Sequence, residues 1–248
     1  MMLFKKNSSF IKKKLNKYGF VIIKDFFNDS PEFINFKNYL NFTLQKAANQ
    51  KKYNKKNIDL KISKIFKKNK KISAYLNDNI NLSTQLYDLL SSKKLTKLIS
   101  YILKKDKKEI IFNNQRFRIQ IPGNDDISNL PWHQDSHYNQ ISKTKSLVAW
   151  ISIGDIEKNM GPLIFKEKSH KLGKMKRINY FRKNGAKTYR VEINNSKLKK
   201  LKNFQSPTKS GDLILIDMLS VHTSGNNLDK YKIKYSAQVR FHVLKKFD

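Results

Sequence analysis

The segment Pro131-Trp132-His133-Gln134-Asp135 puts an imidazole and a carboxylate two residues apart. In an extended stretch, residues at that spacing point to the same side. A third donor would complete a metal site, and His222, just beyond the apolar run Asp212-Leu-Ile-Leu-Ile-Asp217, is the candidate. Two histidines and one carboxylate on adjacent strands make the facial arrangement that holds non-heme Fe(II) and leaves positions open for a co-substrate and O2. The triplet alone has a plainer reading, because His-x-Asp arises by chance and a histidine beside a strand often serves as a surface or capping residue. The chain contains no cysteine. Disulfides, thiolate zinc sites and cysteine nucleophiles are therefore excluded together, and any metal must use His and carboxylate ligands.

The surroundings of these residues form an ordered series. Arg118-Ile-Gln-Ile-Pro122-Gly123 precedes the His-x-Asp pair, and Val148-Ala-Trp150-Ile-Ser-Ile153 follows it. Next come Asn159-Met-Gly161-Pro162-Leu163, Ser169-His170 with Gly173 after it, and His222-Thr-Ser224-Gly225. Together with the opening Tyr18-Gly-Phe-Val-Ile-Ile-Lys-Asp-Phe-Phe27, this series resembles the phytanoyl-CoA dioxygenase family of Fe(II)/2-oxoglutarate oxygenases over most of the chain. The resemblance implies a double-stranded β-helix, a cupin-like jelly-roll barrel, with Fe(II) on His133, Asp135 and His222 and with 2-oxoglutarate and O2 as co-substrates. It implies oxidative decarboxylation to succinate and CO2 coupled to hydroxylation of an unactivated C–H bond. Related halogenases lack the metal carboxylate, so Asp135 favours hydroxylation.

The co-substrate's distal carboxylate needs a cation, and arginine normally supplies it through two parallel hydrogen bonds. In the family that arginine lies on the strand after the last metal histidine. Here the comparison places Lys234 there, one residue farther than usual. Lysine brings the charge as a point donor rather than a fork. Three readings follow: Lys234 serves, Arg240 on the same strand face takes over, or the co-substrate is different. The first is favoured. The resemblance also sets Trp150 and Ser224 against 2-oxoglutarate, with a core aromatic and a turn serine as the plain alternatives. Gln120 could face the pocket or pair on the surface. His170 reads as a hydrogen-bonding loop residue, His137 as a possible rim contact to substrate, and His242 as a packed residue near the end of the last strand. Asp212 and Asp217 read as turn and barrel-edge residues.

A chain of 248 residues, 39% hydrophobic, can bury a substantial core. One domain over 1–248 is expected, with a helical preface over about 1–108 and a β-barrel core over about 109–246. No apolar run reaches the roughly 20 residues of a membrane span, and the start lacks the apolar core of a secretory signal, so a cytoplasmic location is expected. The formal charge of +33 invites a nucleic-acid reading. The charge is nearly all lysine, however, and is spread along a chain also rich in Asn, Ile and Phe, as AT-rich coding would produce. Neither a basic recognition helix nor a zinc-finger pattern accompanies it, so no specific nucleic acid is expected. A small-molecule substrate, an anionic one included, fits the charge equally well. A barrel that binds a small molecule or sugar without turnover is the main alternative. Only six arginines occur, Arg116, Arg118, Arg177, Arg182, Arg190 and Arg240. In so lysine-rich a chain they read either as places where a planar fork matters or as salt-bridged surface residues.

Periodicity places a strand over Gly19–Phe27 and a helix over Glu32–Ala48, opened by Asp29-Ser30-Pro31. The Lys/Asn-rich stretch Asn49–Lys71 reads as mobile or partly helical, and one helical pattern runs from Leu82 to about Lys104. Short strands follow over Ile110–Ile121, Ser146–Ile153, Leu163–Lys166, Thr188–Ile193, Asp212–Asp217 and Ile233–Val243, with turns at Gly123, Gly161, Gly185 and Gly211. The basic, polar stretches Lys171–Lys187 and Asn194–Lys209 read as loops covering the mouth.

Overall fold

The computed structural model describes residues 2–123, 130–138, 145–181, 187–193 and 196–244. Among them, helices dominate the first half: α1 (Met2–Tyr18), α2 (Pro31–Ala47), α3 (Lys55–Lys68), α4 (Lys70–Asn81), α5 (Thr84–Leu90) and α6 (Lys93–Leu103). One strand, β1 (Phe20–Ile23), lies between the first two. The rest is β2 (Ile110–Gln120), β3 (Ser146–Ser152), β4 (Leu163–Lys166), β5 (Ile178–Phe181), β6 (Lys187–Glu192), β7 (Asn203–Ser206), β8 (Leu213–Asp217), β9 (His222–Ser224) and β10 (Lys234–Val243). No described helix is long and apolar enough to cross a membrane.

The strands form an antiparallel sheet in the order β1-β8-β3-β10-β2 and a smaller antiparallel sheet in the order β7-β4-β9, with β5 and β6 as a separate pair. This is the jelly-roll arrangement with flanking helices that the strand pattern implies. Side-chain alternation decides what each face meets. On β10, Tyr235, Ala237, Val239 and Phe241 join the buried core beneath the helices, with Phe36, Leu86, Leu89 and Leu98. The same split gives Phe117 and Ile119 of β2, Ala149 and Ile151 of β3, and Leu213 and Leu215 of β8 to the helical side. Phe20, Val148, Trp150, Phe165, Ile214 and Ile216 make a second core on the other face, where the rings of Phe20 and Phe165 stack at 4.1 Å. Each such side chain removed from water contributes about 1.5–3 kcal/mol.

In the helical layer, the partly helical reading of Asn49–Lys71 holds: Lys55–Lys68 is a helix, because Ile58 and Ile62 are buried one turn apart and Asp59 beside them is 2% exposed. The Asp59 carboxylate accepts from the Tyr235 hydroxyl at 2.7 Å and from the Ile233 amide at 3.3 Å, and pairs with Lys55 at 2.7 Å. It ties α3 to the start of β10. The long pattern from Leu82 breaks into α5 and α6 at Ser91-Ser92, and Ser83 caps α5 by accepting from the Leu86 amide. Serines compete for the backbone and so favour such junctions. The N-terminal strand is shorter than expected. After Ile23 the chain turns through Asp25 at φ 54, and the Asp25 amide and Lys24 ammonium both donate to buried Asp212.

Strand β2 closes one end of the larger sheet. Its exposed edge is covered by Asn81 at the end of α4, whose side chain accepts from the Phe117 amide at 2.7 Å and donates to the Phe117 carbonyl at 3.3 Å. A carboxamide thus replaces a missing strand neighbour and blunts the edge. The two supposed mouth loops carry strands: β5 lies in Lys171–Lys187 and β7 in Asn194–Lys209. The turn at Gly185 lies outside the described residues.

Candidate active site

His133 and His222 meet as an isolated antiparallel bridge, each amide donating to the other's carbonyl at 3.0 Å. The bridge sets their rings 4.3 Å apart. After His133 the chain turns into a short 3-10 segment, Asp135–Tyr138, held by the Ser136 amide donating to the Met218 carbonyl at 3.1 Å. Fully buried Gln134 fixes the turn from the other side, donating to the carbonyls of Gly173 and Leu219 and accepting from the Met175 amide. The Asp135 carboxylate is thereby brought beside the imidazoles, with Oδ2 3.5 Å from His222 Nε2. One ligand atom from each of His133, Asp135 and His222 lies within 4.8 Å of the other two.

The outward nitrogens define the donor set. His133 Nδ1 lies 2.8 Å from the Pro131 carbonyl and His222 Nδ1 3.0 Å from the Ser220 carbonyl. A carbonyl only accepts, so each Nδ1 carries a hydrogen, which leaves each Nε2 as the ring nitrogen available to a metal. Such anchoring fixes the orientation of a metal-bound imidazole. Burial, reinforced by the neighbouring His222, lowers the His133 pKa to about 3, so that ring is neutral near pH 7. Burial would raise the Asp135 carboxyl, but the Arg240 guanidinium, followed by the two imidazoles, overrides it and holds the group below the usual carboxylate range. Two imidazoles and one carboxylate beside an open cavity fit a divalent metal of the non-heme iron type.

Arg240 comes from β10 and donates to Asp135 Oδ1 through both Nε, at 3.1 Å, and Nη2. It is 8% exposed and lies over the Tyr138 ring. Its fork is therefore committed to one oxygen of the carboxylate, leaving Oδ2 on the imidazole side. Removing one partner of a buried ion pair costs about 3–5 kcal/mol because the other charge is stranded. Arg240→Ala should therefore lower the melting temperature of the metal-free protein. Mn(II) should raise that temperature more in the variant than in wild type, since the metal restores a counter-charge to Asp135. Parallel thermal scans with and without Mn(II) check this.

A cavity of about 890 Å³ opens from the triad. Its lining includes Gln120, Trp150, Ser224, Lys234 and Arg240, so the candidate co-substrate residues share one space with His133, Asp135 and His222. Trp150 is 4% exposed and presents the β3 face opposite the helical core. Gln120 donates through Nε2 to the Gly225 carbonyl at 3.0 Å, which ties β2 to the end of β9. Lys234 is 4% exposed and its ammonium donates to the Gly161 carbonyl. Burial, then the nearby Arg118 charge, lowers its pKa to about 7. Gly161 has φ +65, and a Cβ there would press on the Gly225 carbonyl, so this wall requires glycine.

The remaining histidines have structural partners. His170 Nε2 bonds the Asn16 carbonyl, His137 Nε2 bonds the Met175 carbonyl, and His242 lies between Ser146 and Asn113. Arg116 and Arg118 also line the cavity. The scarcity of arginine was their sequence signal, although it assigns them no site.

The model of the phytanoyl-CoA dioxygenase family matches residues 15–230. No curated protein matches the sequence. Among solved structures, the epimerase SnoN in complex with Fe3+, alpha ketoglutarate and nogalamycin RO aligns with a TM-score of 0.64 at 12% identity, covering 96% of this chain and 84% of that one. EvdO2 from Micromonospora carbonacea var. aurantiaca, complexed with 2-oxoglutarate, aligns with a TM-score of 0.63 at 13% identity over 96% of this chain and 92% of its own. The non-heme alpha ketoglutarate dependent carbocyclase SnoK from nogalamycin biosynthesis gives a TM-score of 0.60 at 11% identity, over 94% and 83%. At these identities the likeness is one of fold.

Proposed function

The chain belongs to the phytanoyl-CoA dioxygenase family, and from that premise we propose that it is a non-heme Fe(II)/2-oxoglutarate-dependent dioxygenase, one domain over 1–248, hydroxylating an unactivated C–H bond of a small molecule. The observation that carries the reading is the convergence of His133, Asp135 and His222 within 4.8 Å at a cavity. Iron bound there supplies the redox chemistry, coupling decarboxylation of 2-oxoglutarate by O2 to oxidation of the substrate. The two histidines would hold the metal through Nε2 and Asp135 through Oδ2, with Arg240 keeping the other oxygen occupied. Asp135 retains the carboxylate that favours hydroxylation over halide transfer.

Lys234 holds the distal carboxylate of 2-oxoglutarate. Two observations support it over Arg240: the Lys234 ammonium is buried against the cavity wall and donates to the Gly161 backbone carbonyl, whereas the Arg240 fork is taken by Asp135. Trp150 walls the co-substrate's methylenes, and Ser224 offers a hydroxyl two residues from His222. Gln120 braces the wall through Gly225. The reaction test is direct. Purified protein given Fe(II), O2 and 2-oxoglutarate should form succinate slowly without substrate, and omission of any component should stop it. A barrel that only binds its ligand would form none.

A further inference from the structure

Arginine is rare in this chain, six among 52 basic residues, yet three of the six line the active-site cavity: Arg116, Arg118 and Arg240. Lysine, the default cation here, contributes only Lys67 and Lys234 to the lining among the described residues. Arg240 is neutralised by Asp135. Lys234, on the proposed function, answers the distal carboxylate of 2-oxoglutarate. Among the described residues, Asp78 is the other acidic member of the lining, against the basic Lys67, Arg116 and Arg118. Basic side chains therefore outnumber acidic ones among the described residues of the lining.

The placement of the two arginines is specific. Arg116 and Arg118 stand two apart on β2, on the face shared with Gln120 and opposite the core residues Phe117 and Ile119. Their register partners on β10 are Gln238 and Ser236, which also line the cavity. Arg116 is exposed and Arg118 half-buried, so the pair descends from the mouth toward Lys234. Phe66, Leu82 and Tyr87 border the same outer space. A planar fork matches a two-oxygen anion in a way an ammonium does not.

We infer that Arg116 and Arg118 are specificity-determining residues that grip an oxyanion, a carboxylate or a phosphate, on the substrate. This rests on the oxygenase reading for what is oxidised, although the binding itself does not require turnover. The substrate has an anionic group held at β2 and a body lying between the apolar mouth and the metal.

The experiment uses the full chain loaded with Mn(II) and 2-oxoglutarate, titrated calorimetrically with phenyl phosphate, benzoate and benzyl alcohol. At least one anion should bind tenfold or more tightly than the alcohol, and the tighter of the two identifies phosphate or carboxylate as the recognised group. Arg116→Gln and Arg118→Gln should each weaken that anion by about tenfold. Both should leave benzyl alcohol binding unchanged and neither should weaken 2-oxoglutarate, and Arg116→Lys should fall between wild type and the Gln variant. No anion binding, equal binding of all three probes, or indifference to both substitutions overturns the inference. So does a loss of 2-oxoglutarate affinity in Arg118→Gln with the anions unaffected, which would assign that arginine to the co-substrate. If metal and 2-oxoglutarate fail to load, the same titrations on metal-free protein still read the arginines, so the two proposals fail separately.

Discussion

His133→Ala and His222→Ala are each expected to reduce succinate formation to background and to weaken divalent-metal binding by more than about 100-fold. That exceeds the 10–100-fold typical when an outer partner of a ligand is lost. Each substitution removes one of the three donors, an imidazole oriented by a fixed carbonyl contact, Pro131 for His133 and Ser220 for His222. The fold should persist, since the His133–His222 bridge is made by backbone groups. Asp135→Ala is a different experiment. It removes a ligand and also strands the buried Arg240 charge, so lost activity there would come with lost stability. Metal titration followed by calorimetry, beside denaturant unfolding of each variant, separates the two effects. Wild-type metal affinity in both histidine variants would remove the triad from the mechanism.

Lys234→Ala is expected to weaken 2-oxoglutarate binding by about 1.5–3 kcal/mol, the range for a hydrogen bond to a charged group. Lys234→Arg should preserve the charge and add a fork. The pH dependence gives a second signature. With its pKa lowered to about 7 by burial and by Arg118, the empty site is charged below that pH and increasingly neutral above it. An anion binds the charged form, so 2-oxoglutarate affinity should be level below about pH 7 and fall as pH rises, because binding must then take up a proton. Lys234→Arg, which stays charged throughout, should flatten the profile. A wild-type profile that is flat from pH 6 to 9, or an unchanged affinity in Lys234→Ala, would move the anchor elsewhere.

The strands that build the site were legible because alternation is strong in them: Val148, Trp150, Ile214 and Ile216 face one side while Ala149, Ile151, Leu213 and Leu215 face the other. Strand β9 was not, because three residues carry too little pattern, and β7 was hidden in a polar stretch. The apolar stripe of α3, Ile58 and Ile62, was masked by the lysines and asparagines around it. Among site residues, the His-x-Asp pair and His222 could be read from spacing and family likeness. The hold of Arg240 on Asp135 could not, since it depends on how β10 lies against a turn 105 residues earlier. The Asp59–Tyr235 contact was hidden for the same reason, being made between distant elements.

The most direct test of the central claim is calorimetric titration of 2-oxoglutarate into Mn(II)-loaded protein under conditions where no turnover occurs. The account predicts saturable one-site binding that disappears when the metal is removed and in His133→Ala. Absence of binding up to millimolar 2-oxoglutarate, or binding of equal strength without metal, would contradict it.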